Sequence, residues 1–338
     1  MMVGFPCYRL SLVTGKTFFL PMNTGRNKKN IYCSFSIPER RFDNMEKLMK
    51  DKKAIFLFAF PTFLLFTVII VLPIFFSLYY STLQWDGFSN AVSVGFSNYI
   101  NLFVNNTDGF AQSVINSLIL ALISVGIQLP ISLLLAIILS RGIRKERFFR
   151  TVYFIPVIIS TVVIGQLWMK IYNEDYGILN TVLRSLGLDS LAKSWLANPS
   201  TALGSVFIAM LWQYVGYHML LMYASAKSIS PDIYEAALID GASEAKMAFR
   251  ITIPLMKPIL CVCVVFAVTG SFKAFDLIYV MTGGGPMHST DVPTTLMYTT
   301  IFSRYQYGYG SAMAIFIIIE CLVCTVIIQK LFSKDADY

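Results

Sequence analysis

The chain has 338 residues, 56% of them hydrophobic and only 14% charged, whereas soluble domains carry about 25% charged residues. That balance excludes an ordinary soluble domain. The net charge of +8 would suit nucleic acid if the bases formed one patch, but they are distributed by connection, and no nucleic-acid partner is expected.

Residues 1–44 come first and read differently from the rest. They mix Arg9, Lys16, Arg26, Lys28 and Lys29 with apolar patches too short to span a bilayer. No small-residue cleavage site follows an apolar core, as a secretory signal would require. The TGKT at 14–17 misses the phosphate-loop pattern, which needs Gly where Leu10 stands. Two readings remain open. The segment is a disordered basic extension, or it lies upstream of a native start at Met45. MEKLMKDKK reads as an ordinary start, and Glu39-Arg40-Arg41 can be encoded by a purine-rich run of the ribosome-binding type just before it.

Six apolar stretches then follow, at roughly 54–80, 113–140, 152–172, 203–226, 256–281 and 309–331. Each is long enough for a helix to cross the hydrocarbon core. Backbone polar groups in lipid must be satisfied within each segment, so the fold expected for 45–338 is an all-α, polytopic six-helix bundle. The alternating ten-residue segments of a membrane barrel are not seen. Arg141, Arg144, Lys145, Arg147 and Arg150 crowd the second connection, and Lys227, Lys246, Arg250 and Lys257 lie in the fourth. Residues 81–112 hold no Lys or Arg, and the fifth connection holds only Arg304. This asymmetry predicts cytoplasmic termini and a cytoplasmic 229–258 loop. The cysteines at 7, 33, 261, 263, 321 and 324 form no framework, and the apolar surroundings of Cys321 and Cys324 argue against a metal or redox role.

The 229–258 loop is polar between two strongly apolar spans. Ser230 and Pro231 read as an N-cap and first helical residue, with Asp232 in the first turn. Ile233, Ala236 and Ala237 recur at helical spacing. Glu235 lies past the capping-box position, which leaves it free for a partner. Gly241 ends the first helix, and Ser243 with Glu244 begins a second, expected to stop at Pro254. A plain interfacial linker is the competing reading, but such a helix would pair a strong Leu or aromatic face with a basic one.

The stretch EAALIDGASEAKMAFRITIPLMKP resembles the EAA loop of membrane subunits in binding-protein-dependent ABC importers. The matching residues are Glu235, Ala236, Ala237, Asp240, Gly241, Ala242, Phe249 and Pro254, with Ile253 as a volume-conserving departure. The resemblance implies a type I importer permease whose loop docks on an ATPase subunit. AFDLIYVMTGGGPMHSTDVPTTLMYTTIFSRYQYGYGSAMA (residues 274–314) is similar to the maltose, multiple-sugar and glycerol-phosphate branch, in its first of two nonidentical permeases. It lacks the maltose protein's large insertion, because residues 81–112 are short.

What the branch implies is a permease for a carbohydrate, an oligosaccharide in the first place, in the bacterial plasma membrane; a glycerol phosphate ester is the alternative cargo. Implied partners are a second, nonidentical permease, two cytoplasmic ATPase subunits and an extracellular or periplasmic binding protein. No cofactor is expected in this chain, since Mg-ATP belongs to the partner ATPase, and no catalytic residue or metal is expected either. Gly283, Gly284, Gly285 and Pro286 read on their own only as a turn; the resemblance places them near the binding-protein surface.

Polar groups inside spans are costly and usually face a bundle interior or a wet path. Asn116, Gln128, Gln166, Gln213, His218, Lys273, Asp276 and Glu320 are the candidates, with Tyr214 and Tyr217 beside Gln213 suited to sugar contact. Lys273 and Asp276, three apart, would neutralise one another on a helix. His218 reads as a satisfied interhelical hydrogen bond. An ion-coupled transporter would want related halves and midplane acids, and a membrane enzyme would want clustered His, Asp or Glu; neither pattern is present.

Overall fold

The computed structural model describes residues 52–106 and 108–333, so the readings made for residues 1–44 and Met45 lie outside it. The described residues form two units, one ending at Pro73 and the other beginning at Ile74. In the first, helix α1 (Lys52–Phe66) runs into a π turn at Thr67–Val71. Helix α2 (Leu72–Tyr80) completes a 25-residue apolar stretch, Phe56–Tyr80.

The second unit continues with a small antiparallel hairpin, β1 (Leu83–Gln84) and β2 (Val92–Ser93), in the register Leu83↔Ser93 and Gln84↔Val92. Helix α3 (Ser97–Ile100) follows. Helices α4 (Phe110–Ile123) and α5 (Leu129–Ser140) are joined by a π turn into one 31-residue span.

The third apolar stretch is not one straight span. It forms α6 (Glu146–Ile158) and α7 (Thr161–Ile171), bent by 97°. Ile159 and Ser160 take extended backbone, with ψ of 141° and 132°. Pro156 removes a hydrogen bond from the last turn of α6, and the β-branched and hydroxyl residues after it favour leaving the helix.

Helix α8 (Ile178–Ser185) precedes α9 (Pro199–Ser228), the longest element at 30 residues. The Asn198 side chain caps α9 by accepting from Ser200 N–H, with Pro199 at the first position. Next come α10 (Pro231–Ile239), α11 (Glu244–Met247), a π turn at Ala248–Thr252 and α12 (Ile253–Leu255). Span five is divided between α13 (Lys257–Phe272) and α14 (Asp276–Thr282). Helices α15 (Pro293–Phe302) and α16 (Tyr307–Ser333) close the chain.

Pro254 does not interrupt its helix as expected. A π turn lies just before it, and Ile253 N–H reaches back to Ala248 C=O. The same arrangement precedes Pro130, where Leu129 N–H bonds Ser124 C=O, and Pro73, where Leu72 N–H bonds Thr67 C=O. Proline lacks the i→i−4 donor and its ring crowds that carbonyl. Lengthening the turn by one residue shifts the ladder before the proline, so the helix continues. The actual break comes at Met256, with φ −85° and ψ 0°.

The core of the second unit forms around α9. Leu129, Ala136 and Leu139 of α5 pack on Met219, Met222 and Ala226. Leu120, Ile164, Leu277 and Ile278 cluster with Val206 and Phe207. Helix α6 approaches α9 so closely that a Cβ on Gly216 would stand 1.8 Å from the Tyr153 carbonyl. Outward faces of the helices are apolar and exposed, as at Leu122 and Ile158. Five long apolar helices plus the bent pair make this a multi-pass membrane protein.

Candidate functional site

Three regions hold most of the polar residues singled out by the sequence; Gln166 on α7 and Glu320, half-buried on α16, stand outside them. The first is a cavity of about 440 Å³ between α4, α6, α7, α9, α13 and α14. Its walls include Gln128, Thr161, Tyr214, Tyr217, His218, Lys273 and Asp276, together with Met210, Phe266 and Phe275. Neutral amide and hydroxyl groups beside aromatic faces suit a polyhydroxylated ligand.

Lys273 and Asp276 both face this cavity, but not as the expected pair. The helix breaks between them, Lys273 ending α13 and Asp276 opening α14. None of the ion pairs among the described residues joins them. The Ala274 carbonyl at the break accepts from Thr294 Oγ1. The expected satisfied bond at His218 is also not found: the residue is 4% exposed, and its Nδ1 meets no hydrogen-bond partner among the described residues.

Gln213 stands just behind the wall, 2% exposed, with its amide nitrogen 3.4 Å from Thr161 Oγ1. Gln166 lies on an exposed face of α7, apart from the cavity lining. Asn116 is at the far end of the bundle. Its amide nitrogen donates to the carbonyls of Ser289 (3.1 Å) and Asp291 (2.8 Å) while its oxygen accepts from Gln112 (3.0 Å). Sequence reasoning missed Thr161 because hydroxyl residues are common in spans; the signal was Pro156 followed by Ser160-Thr161.

The second region is at the basic end of the bundle. Ser230 caps α10 by accepting from Asp232 N–H, and Ser243 caps α11 by accepting from Lys246 N–H. Between them Asp240 closes the first helix and Gly241 turns the chain at φ +73°, the left-handed region where glycine carries no penalty. Ala237, Met247 and Ala248 are buried, and Tyr234 OH is 3.0 Å from Thr252 Oγ1, which fastens α10 to the π turn.

Glu235 and Ala236 are exposed and Ala242 half-buried, so the small face expected of Ile233, Ala236 and Ala237 is divided, only Ala237 turning inward. What projects is Glu235 among Ile233, Leu238, Ile239 and Phe249, with Ile239 87% and Phe249 71% exposed. Arg141, from the end of α5, pairs with the Glu244 carboxylate and donates 2.8 Å to its carbonyl. Glu146 binds Tyr223 OH and lies 3.5 Å from Lys227, and the Arg150 guanidinium sits 5.2 Å over the Tyr223 ring. The sequence showed these cations only as charge asymmetry.

The third region is the turn after α14. Gly283 and Gly284 have φ of +60° and +91°, and Met287 and His288 are also left-handed. A Cβ on Gly284 would fall 2.0 Å from Asp291 Oδ1, so this glycine is required by space as well as by φ. Asp291 accepts from Thr295 Oγ1 at 2.8 Å and meets His288 Nδ1 at 2.6 Å. Burial pushes its carboxyl above the ordinary range, and the bonds from His288 and Thr295 oppose that shift. Thr290 Oγ1 donates to the Gly285 carbonyl at 2.8 Å and is 2.8 Å from Thr282 Oγ1. Gly285 and Pro286 complete the turn, and Met287 projects at its tip, 89% exposed.

Residues 128–338 match the family described as "Binding-protein-dependent transport system inner membrane component". The chain is 39% identical over 285 residues to the probable ABC transporter permease protein YurN of Bacillus subtilis, covering 83% of this chain and 97% of that protein. It is 36% identical to the xylose/arabinose import permease protein XacH of Haloferax volcanii, over 72% of each chain. It is 30% identical to the trehalose/maltose transport system permease protein MalF of Thermococcus litoralis, over 85% of this chain and 96% of that one. Its fold is similar to that in the crystal structure of a bacterial ABC transporter that imports alginate, with a TM-score of 0.73 at 22% identity, covering 88% of this chain and 99% of that chain.

Proposed function

The chain belongs to the inner membrane components of binding-protein-dependent transport systems, and on that premise we propose that it is one of two permease subunits of an ABC importer carrying a neutral carbohydrate across a bacterial plasma membrane. The observation that carries the mechanism is the element at 231–252. It is a capped helix and a glycine turn that leave an acid and four large apolar side chains exposed. An interfacial linker would set its apolar face beside Lys and Arg, whereas α10 carries Asp232 and Glu235 and no basic residue.

The basic end is then cytoplasmic, in keeping with the Lys and Arg distribution. Glu235, Ile239 and Phe249 meet an ATPase subunit, and Mg-ATP is bound and hydrolysed there rather than in this chain. The turn at Gly283–Pro286 faces the binding protein on the opposite side. Closure of the two ATPase subunits is passed through α10 and α11 to α9 and α13, which wall the cavity.

Carbohydrate is supported by the sugar permeases among the relatives and by a cavity lined with amides, hydroxyls and rings. A phosphate ester would ask for several cations; Lys273 is the one cation lining this cavity, with Asp276 beside it. The test is uptake into proteoliposomes. Import should require ATP, the binding protein and the ATPase together, and Glu235→Ala should abolish it. Uptake by this chain alone on an ion gradient would overturn the assignment.

A further inference from the structure

A second cavity, of about 760 Å³, lies where α4 and α9 begin, at the end of α9 away from the 231–252 element. Its size falls within the range of about 300–1,000 Å³ usual for ligand sites. Gln112, Asn116, Ser200 and Ser289 are the neutral polar residues on its wall. The ionisable side chains there are already paired, Arg304 with Asp108 and His288 with Asp291. The Ser289 hydroxyl oxygen is buried and meets no partner among the described residues. Gln112 donates to Asn116 through its amide nitrogen, which leaves its oxygen to accept. Donors and acceptors without an unpaired charge suit the hydroxyls of a neutral ligand better than an anion.

The same helices carry this cavity into the 440 Å³ one. Gln112, Asn116, Leu120, Ser124 and Gln128 follow at four-residue spacing, which keeps them near one helix face. The first two line the 760 Å³ cavity, and the last three line the 440 Å³ cavity. On α9 the succession repeats, with Ser200 and Gly204 lining the first and Tyr214 and His218 the second. Where one set gives way to the other, Leu120 and Phe207 are 1% and 2% exposed and pack in one apolar cluster. Polar groups at such spacing inside a span are what a wet path requires. The two cavities differ in one respect. Tyr214, Tyr217 and Phe266 line the inner one, whereas no Phe, Tyr or Trp lines the outer one among the described residues.

We propose that the outer cavity is an entry subsite for the transported sugar. It holds the sugar after release from the binding protein and before passage between Leu120 and Phe207 to the inner cavity. Gln112 and Ser289 supply hydrogen bonds to its hydroxyls, each of which can donate and accept. Without a ring to pack against, the hold is weak, as a site that must pass its occupant onward requires. This inference rests on the carbohydrate reading given above.

The test uses the complete importer, reconstituted with its ATPase, second permease and binding protein. Uptake is first measured with a panel of radiolabelled xylose, maltose, trehalose and maltotriose. A photo-reactive side chain is then placed at Ser200 or, separately, at Gln112, both exposed, and irradiated while the imported sugar is turning over. Either position should join radiolabel to this chain. The same probe at Leu122, on the exposed apolar face of α4, should join none. Gln112→Leu, which removes the amide at similar volume, should slow import about three- to tenfold at saturating loaded binding protein. Affinity for the binding protein should stay unchanged. Adducts with the binding protein or second permease alone, without radiolabel, would overturn the proposal. So would unchanged import in Gln112→Leu, or a loss that follows a weakened binding-protein affinity; the carbohydrate reading would survive each of these. If the unmodified importer takes up none of the panel, the carbohydrate reading fails and this inference falls with it.

Discussion

Two glycine turns flank span five, and they are built on opposite principles. At the far end, Gly284 is confined by φ and by the Asp291 carboxylate, inside a loop laced by Thr282, Thr290, Thr295, His288 and Asn116. At the basic end, Gly241 has the same left-handed backbone but nothing within 4 Å of where a Cβ would sit. The first turn is preformed by hydrogen bonds within the loop. The second is held by two serine caps, the Tyr234–Thr252 contact and the Arg141–Glu244 pair, and leaves its apolar side chains uncovered. A rigid turn presents a fixed surface, whereas an open one with an uncovered face is shaped to be completed by another molecule.

Substitutions can sharpen or break that contrast. After Glu235→Ala, the largest effect is expected from Ile239→Asp. The side chain is almost wholly exposed, so thermal unfolding in detergent should move by no more than about 0.5 kcal/mol. ATP-driven uptake should nevertheless fall at least about tenfold, the loss of one apolar anchor at an interface. Next is Gly284→Ala, which drives a Cβ into Asp291 and should destabilise by about 1–3 kcal/mol, seen as a lowered Tm. Gly241→Ala meets only the left-handed penalty of about 1 kcal/mol; a loss as large as at Gly284 would erase the difference between the turns. Ser230→Ala should cost least, about 0.5 kcal/mol, because its capping bond is long at 3.4 Å.

Much of this was legible in the sequence, and for identifiable reasons. Span positions follow from apolar length, and the caps at Ser230 and Ser243 and the turn at Gly241 follow from residue chemistry that acts over a few residues. Features set by tertiary contact were not legible. Pro254 reads as a breaker until the π turn ahead of it is seen, and the break in span three is only hinted at by Pro156. The Lys273–Asp276 spacing suggested a helical pair, but the chain leaves the helix between them. Asn116 was read as a candidate pathway residue; its amide nitrogen is held by backbone carbonyls some 170 positions away, a relation that no local pattern encodes. The cations at 141–150 showed a charge bias in sequence; the contacts of Arg141 and Arg150 appear only once α5, α6, α9 and α11 are assembled.

The most direct test places one photo-reactive side chain at Ile239 and another, separately, at Met287, in the importer reconstituted with its ATPase, second permease and binding protein. Irradiation should join the Ile239 probe to the ATPase subunit and the Met287 probe to the binding protein. Capture of the binding protein from Ile239, or of lipid alone with no ATPase adduct, would contradict both the orientation of the chain and the role of the 231–252 element.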